Sequence, residues 1–329
     1  ILVGFSAQAE RCVTSLLMVS LLVLVSSCGG GSSNPTQPGT VTCTNTGNNN
    51  LPCEPIIPIG PVGKPNIVLI LTDDQNLGFE RYMVNLQQKL IDKGVWFENA
   101  YVTTSLCCPS RVSILTGQYT HNHKVLSNAG RGGYSVYEKS GGYSNHLGVW
   151  MQDAGYRTAL IGKFLNNYPA ENLPLTPIVP PGWDDWFAAV DTSSAPSPYL
   201  QFNYRMVDNG IFRDYGSAET DYFGDVVTDR ALKFMDTALA DKTPFFLFLN
   251  YISPHAPEIA APRHRVPRTD QVPRTPSFNE VDVSDKPAWV RLNSLLIDSQ
   301  IADVDRVFGG RINSLQSVDE GIDQIVALL

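Results

Sequence analysis

The sequence predicts an α/β fold built on a central, mostly parallel sheet flanked by helices. Three observations carry that expectation. Short uninterrupted apolar runs recur at 66–72 (NIVLILT), 157–162 (RTALIG) and 244–250 (PFFLFLN); a run apolar on both faces reads as a strand covered on both sides. Between and after them, apolar residues return at helical spacing. Phe223, Val226, Val227, Ala231, Phe234 and Met235 form one such stripe; Ile312, Leu315, Val318, Ile322 and Ile325 form another. Finally, 26 glycines and 23 prolines demand many loops, which fits poorly with an all-helical bundle. Buried strands alternating with amphipathic helices give such a sheet, with ligands expected beyond the carboxyl ends of its strands.

Composition narrows the class. Hydrophobic residues make up 43% and charged residues 17% of the 329, enough for a sizeable core. Lys+Arg is 24 against 32 for Asp+Glu, a formal charge of −8. That balance argues against a nucleic-acid partner, which calls for a basic face. Six cysteines are too few for a disulfide scaffold at this length.

The chain divides into three expected regions. Residues 1–27 carry an uncharged, mostly apolar run at 13–25 behind Arg11. It is too short to span a bilayer, which takes about 20 residues, and fits the apolar part of an export signal. The sequence Val25-Ser26-Ser27-Cys28-Gly29 resembles a bacterial lipoprotein signal, with cleavage before Cys28 and a lipid on its thiol. The alternative is an ordinary secretory signal with an incidental cysteine. Both place the protein outside the cytoplasm, in the periplasm or on the cell surface. Residues 28–63 are Gly, Ser, Asn, Thr and Pro with few large apolar side chains, and read as a tether. Cys43 and Cys53 lie within it, and a local disulfide suits an oxidising compartment. The globular part runs over 64–329.

Two stretches of the globular part carry chemistry. The first apolar run ends in Leu71-Thr72-Asp73-Asp74-Gln75. Adjacent carboxylates at a strand end repel unless a cation lies between them, and hard oxygen donors suit Ca²⁺ or Mg²⁺. The alternative is a polar loop in which Asp caps the next helix. The second stretch, SLCCPSRVSILTG at 105–117, has Pro at a natural helix start and Gly at a natural end. Cys107 and Cys108 then lie just ahead of a helix N-terminus, which favours an anion, and Arg111 follows one turn later. Two buried thiols, a vicinal disulfide and a low-pKa thiolate nucleophile are the other readings.

Cys107-x-Pro109-Ser110-Arg111 followed by Leu115-Thr116-Gly117 resembles the sulfatase signature. The fuller run CCPSRVSILTGQYTHNH is similar to the N-acetylglucosamine-6-sulfatase branch of that family. GYRTALIGKFLNNY (155–168), PPGWDDW (180–186) and PFFLFLNYISPHAP (244–257) extend the resemblance over roughly 64–329. It implies an alkaline phosphatase-like fold. It also implies a sulfuric ester hydrolase acting on a sulfated glycan, with 6-O-sulfated N-acetylglucosamine as the expected substrate. Cys107 matches the cysteine that a formylglycine-generating maturation enzyme oxidises. Asp73 and Asp74 match paired Ca²⁺ ligands, with Mg²⁺ as the alternative ion, and Cys107 as formylglycine adds a ligand oxygen. Arg111 matches the residue that holds the formylglycine hydrate, Lys163 a lysine beside the nucleophile and the sulfate, and His255 the histidine on the leaving-group side. Leu165 replaces the histidine that many arylsulfatases carry two residues after the lysine; the glucosamine-6-sulfatase-like branch also lacks it. His121 and His123 are candidates for the pocket mouth.

The resemblance also marks a decoy. The family takes an Asp-Asn or Asp-His pair from a later strand. Asp208-Asn209-Gly210 is not that pair, because alternating segments at 199–207 and 211–215 make it the turn of a hairpin. The matching strand would follow the helix at about 304–329, so the catalytic domain is expected to be incomplete and the chain inactive as written. In the implied mechanism a metal-activated hydroxyl of the hydrated formylglycine attacks sulfur, and the second hydroxyl then expels sulfate. Arg111 and Lys163 offset charge on the sulfuryl oxygens, and His255 protonates the leaving alkoxide. The alternatives are a phosphonate or phosphate ester hydrolase of the same superfamily, or a non-catalytic glycan-binding surface lipoprotein. A two-zinc phosphatase fits poorly with a total of five histidines.

Overall fold

The three apolar runs become neighbouring strands at the centre of a seven-stranded sheet. The structure, a computed structural model, describes residues 2–5, 63–170 and 176–329. The strands are β1 (Leu2–Phe5), β2 (Asn66–Leu71), β3 (Arg157–Gly162), β4 (Asp185–Ala189), β5 (Arg205–Asp208), β6 (Ile211–Asp214) and β7 (Phe245–Asn250). Their order across the sheet is β1-β2-β7-β3-β4-β5-β6. The pairs β2–β7, β7–β3 and β3–β4 are parallel, and the two edges are antiparallel. The helices are α1 (Cys107–Thr116), α2 (Thr120–His123), α3 (Tyr134–Lys139), α4 (Leu147–Asp153), α5 (Phe223–Ala240), α6 (Ala288–Arg291) and α7 (Asp298–Leu328). Among the described residues no helix is long and apolar enough to cross a membrane.

Each central strand sends alternate residues to opposite faces. Val68, Ala159, Ile161, Leu247 and Leu249 join one core, against Phe223, Val227 and Ala231 of α5 and Ile312, Leu315 and Val318 of α7. Leu160, Phe246, Phe248, Trp186 and Ala188 join a second core with Val112 and Leu115 of α1 and the rings of Tyr134, Tyr137 and Tyr168. Burying each Val, Leu, Ile or Phe among these stabilises the fold by about 1.5–3 kcal/mol.

The expected strands and both expected long helices are present, with two adjustments. Helix α7 begins at Asp298, earlier than the expected 304, because its first two turns are solvated and carry no apolar stripe. The hairpin is confirmed but shorter than its alternating pattern: β5 starts at Arg205, and Tyr199 lies instead in a 3-10 turn, Pro198–Leu200. Asn209 (φ 48°) and Gly210 (φ 84°) are both left-handed, the geometry that a tight two-residue hairpin turn needs.

Residues 2–5 fall within the stretch expected to be an export signal, and here they pair antiparallel with β2, Leu2 opposite Leu69. The remainder of that stretch lies outside the described residues. So do nearly all of the expected tether, the Cys28 lipid site and the Cys43–Cys53 pairing.

Candidate active site

Three parallel strands, β2, β7 and β3, end side by side, and the N-terminus of α1 meets them. Gly162 makes the closest approach possible. It has φ 104°, and a Cβ there would come within 1.9 Å of the Asn250 carbonyl oxygen. The next residue, Lys163, donates its backbone N–H to that same oxygen at 3.0 Å. Its side chain is thereby aimed inward, 1% exposed.

Asp73, two residues past β2, is the hub. It is 4% exposed, and its backbone N–H donates to the Ser253 carbonyl at 3.2 Å. Lys163 Nζ donates to its Oδ2, and Arg111 Nη2 lies 3.7 Å from its Oδ1. Burial pushes the Asp73 carboxyl up, but the charges of Arg111 and Lys163 outweigh it and hold the group below the ordinary carboxylate value. Asp74 is more exposed and takes a left-handed φ of 60°. Its Oδ2 lies 3.5 Å from His255 Nε2, and its carbonyl accepts from Arg311 Nη2, which also reaches Asn76 Oδ1 at 2.7 Å.

Helix α1 differs from expectation by two residues. Leu106, extended at φ −120° and ψ 136°, is the N-cap, so Cys107 and Cys108 are the first two helical positions rather than residues ahead of them. Pro109 is tolerated at the third position because the first-turn N–H groups have no partner within the helix. The helix ends as expected at Gly117 (φ 66°). Cys107 Sγ points at Asp73 Oδ1, 3.6 Å away. Burial raises the Cys107 pKa, with Lys163 opposing and the two aspartates reinforcing the rise. That direction runs against the low-pKa thiolate alternative. Cys108 is buried, with its pKa pushed up to about 11 by burial. Its backbone N–H donates to Asn128 Oδ1 at 2.9 Å. Both cysteines are free, so the vicinal disulfide is not formed.

Arg111, one turn on, is fixed by the strand ends. Its Nη1 donates to the Lys163 carbonyl at 2.9 Å and to Asn250 Oδ1 at 3.0 Å. His255 follows β7 on a proline-rich loop. Its Nδ1 lies 2.5 Å from the Ala256 carbonyl, which can only accept, so Nδ1 carries the proton there and Nε2 faces Asp74. The ligating atoms of Asp73, Cys107 and His255 all lie within 4.8 Å of one another.

All six expected residues, Asp73, Asp74, Cys107, Arg111, Lys163 and His255, therefore converge on one spot. His123 does not belong to the pocket mouth. It is 3% exposed and uses both ring nitrogens inside the fold, accepting from the Val125 N–H at 3.1 Å and meeting Ser113 Oγ at 3.0 Å. It braces α1 against the turn that follows. His121 stacks on Tyr119 at 5.7 Å. Leu165, 1% exposed, packs in the second core.

Four neighbours escaped the sequence reading. Asn250 carried a usable signal, a lone amide closing an apolar strand. Tyr199, Asp191 and Asn166 had none. The Tyr199 hydroxyl donates to Asp191 Oδ2 at 2.9 Å, and Asn166 Nδ2 donates to both at 3.0–3.1 Å. Burial raises the Asp191 pKa, with Lys163 opposing.

Residues 65–329 match the family model described as Sulfatase. A Caenorhabditis elegans homologue of an extracellular sulfatase is 40% identical over 274 residues, covering 80% of this chain and 36% of its own. The human N-acetylglucosamine-6-sulfatase is 33% identical over 273 residues, covering 81% and 48%. The chain thus spans less than half the length of these curated relatives. A solved protein in complex with its substrate D-glucosamine-2-N,6-O-disulfate shares the fold, with a TM-score of 0.58 and 20% identity over 81% of this chain and 62% of the other.

Proposed function

The chain belongs to the sulfatase family, and from that premise we propose that it carries the nucleophile end of an exported sulfuric ester hydrolase. Its substrate would be a sulfated glycan bearing 6-O-sulfated N-acetylglucosamine. The observation that carries the reading is Cys107 Sγ set 3.6 Å from Asp73 inside one buried cluster with Arg111 and Lys163. The human relative's name and the disulfated glucosamine of the solved neighbour support the 6-O-sulfated sugar.

Burial disfavours the thiolate form of Cys107. Conversion to formylglycine would supply a hydrated aldehyde oxygen in its place. The donor set fits part of a hard-cation shell: Asp73 and Asp74 would hold Ca²⁺, or Mg²⁺, with the oxidised Cys107 side chain. Ca²⁺ takes about 6–8 oxygen ligands, so further donors complete the shell. When bound, the cation would polarise the sulfate oxygens. Arg111, immobilised by Asn250 and the Lys163 carbonyl, and Lys163 itself offset charge on the sulfuryl group. With Nδ1–H held by Ala256, His255 would act as an imidazolium: a second proton on Nε2, beside Asp74, passes to the departing sugar oxygen and leaves the neutral ring. We propose residues 1–27 as signal, 28–63 as a lipid-anchored tether through Cys28, and 64–329 as catalytic domain; cleavage before Cys28 would remove β1 from the sheet edge and leave β2 as the edge strand.

Peptide mass spectrometry across Cys107 in the full-length protein, paired with that protein's release of sulfate from 6-O-sulfated N-acetylglucosamine, tests this. We expect loss of the thiol sulfur, a hydrazide-reactive carbonyl, and sulfate release well above phosphonate or phosphate ester cleavage. A free cysteine from a host with the maturation enzyme overturns the reading in favour of a non-catalytic glycan binder. Faster phosphonate turnover reassigns the substrate class.

A further inference from the structure

We propose that Tyr199 is a positioning residue whose ring holds the Lys163 ammonium and the His255 imidazole in register with Cys107. The consequence for turnover rests on the sulfatase reading; the placement itself rests on geometry.

Lys163 and His255 come from different elements, the end of β3 and the loop after β7. Tyr199 comes from a third, the 3-10 turn Pro198–Leu200, and touches both. Lys163 Nζ sits 4.7 Å from the centre of the Tyr199 ring, and the His255 ring centre is 4.5 Å away at an interplanar angle of 37°. Among the described residues the ammonium hydrogen-bonds only to Asp73. A lysine stem has four rotatable carbons, so one bond leaves the head free to swing. The negative face of an aromatic ring supplies the second constraint in a site screened from water. For His255 the ring acts as a wall that sets the imidazole plane, while Ala256 fixes one nitrogen.

Tyr199 is itself anchored. Its hydroxyl bonds to Asp191 and to Asn166, which tie it to the segments after β4 and β3. Two residues on, Gln201 Nε2 reaches Ser253 Oγ at 3.4 Å on the loop that carries His255. The Gln201 carbonyl accepts from the first N–H of α5, Phe223, at 2.9 Å. The hydroxyl end of the ring and the C-terminal end of the turn are both held, so the ring cannot follow its neighbours if they drift.

The test compares Tyr199→Leu and Tyr199→Phe in the matured full-length protein. Misplacing a catalytic group by about 1 Å can cost about 10²-fold. Y199L should therefore lose kcat by about 10²-fold with KM within about threefold, and Y199F, which keeps the ring, should recover kcat to within about fivefold of the parent. Carbon-13 labelling at lysine Cε gives a readout free of turnover. The Lys163 signal should be shielded by the ring in the parent and Y199F, and should move to the ordinary lysine position in Y199L. If Y199L does not fold, Tyr199→Met (bulk without a ring) and Tyr199→Trp (a ring) take the same two places. An unchanged kcat in Y199L, a rise in KM alone, a Y199F defect as deep as Y199L, or a Lys163 signal indifferent to the ring overturns the inference. A matured parent that releases no sulfate sinks the proposed activity instead, and the Lys163 signal still decides Tyr199.

Discussion

Two Asp-led turns follow strands of the same sheet, and they do opposite things. At Asp208-Asn209-Gly210 the chain reverses into its own neighbour. Asp208 is held by Arg213 of the same hairpin at 2.5 Å and by Arg230 of α5 at 3.0 Å. At Asp73-Asp74 the chain ends beside strands far away in sequence. The cations that meet Asp73 come from α1 and β3, with a thiol and an imidazole alongside. Both carboxylates face two basic side chains. What separates them is what lies beyond: Arg213 is 56% and Arg230 27% exposed at their side chains, whereas Lys163 is 2% and Arg111 4%. A half-solvated pair is a weak structural contact, while a buried one is a poised charge cluster whose members cannot be removed singly without cost.

Experiments can break that contrast. The largest expected effect is at the thiol. Cys107→Ala should abolish sulfate release, by about 10³-fold or more, while the melting temperature stays near that of the parent. Retained turnover would move the nucleophile elsewhere.

Next is Asp73→Asn. It leaves Lys163 and Arg111 buried without a counter-charge, which should destabilise the fold by about 3–5 kcal/mol in denaturant unfolding, together with loss of activity. The pH dependence follows from the same residue. Its folded pKa lies below the unfolded value of about 3.9. Its contribution is therefore complete above that value and is lost as pH falls through the folded pKa. D73N should flatten the acid limb of the stability–pH curve below about pH 4; an unchanged limb would mean the pair adds nothing.

Gly162→Ala tests the strand ends. A methyl group 1.9 Å from the Asn250 oxygen forces β3 and β7 apart, and we expect about 1–3 kcal/mol of destabilisation with a larger fall in kcat than in KM affinity. The smallest effect belongs to the hairpin. Asp208→Asn should cost about 1 kcal/mol or less and leave sulfate release untouched. A large activity loss there would erase the distinction between the two turns.

Much of the architecture could be read locally. The runs at 66–72, 157–162 and 244–250 are apolar on both faces, and such runs have few homes other than a sheet interior. The motif helix announced its end at Gly117 but not its start, which lies two residues earlier than Pro109 suggests, and Asn209-Gly210 announced its turn. Asp73, Asp74, Cys107 and Arg111 stood out as candidates from local pattern; Lys163 and His255 were legible only through the resemblance, since either alone looks like any solvated side chain. What stayed hidden shares a physical cause. Tyr199, Asp191 and Asn166 lie on loops and act through contacts with one another and with distant elements, so no local period marks them. His123 misled for the converse reason. A polar residue beside a motif looks functional, and only its two hydrogen bonds to Ser113 and Val125 reveal a brace.

The sheet order has a consequence in time. Strand β7 lies between β2 and β3 yet is made after both. On a chain growing from its N-terminus, β2 and β3 have no partner in each other and wait for Phe245–Asn250 to arrive. Until then Arg111 lacks Asn250, Asp73 lacks the Ser253 carbonyl, and Lys163 cannot be drawn across to Asp73. The charge cluster thus closes only after Asn250 and Ser253 have been made. Until then Cys107 remains on an open segment, within reach of the maturation enzyme that the proposed formylglycine would require.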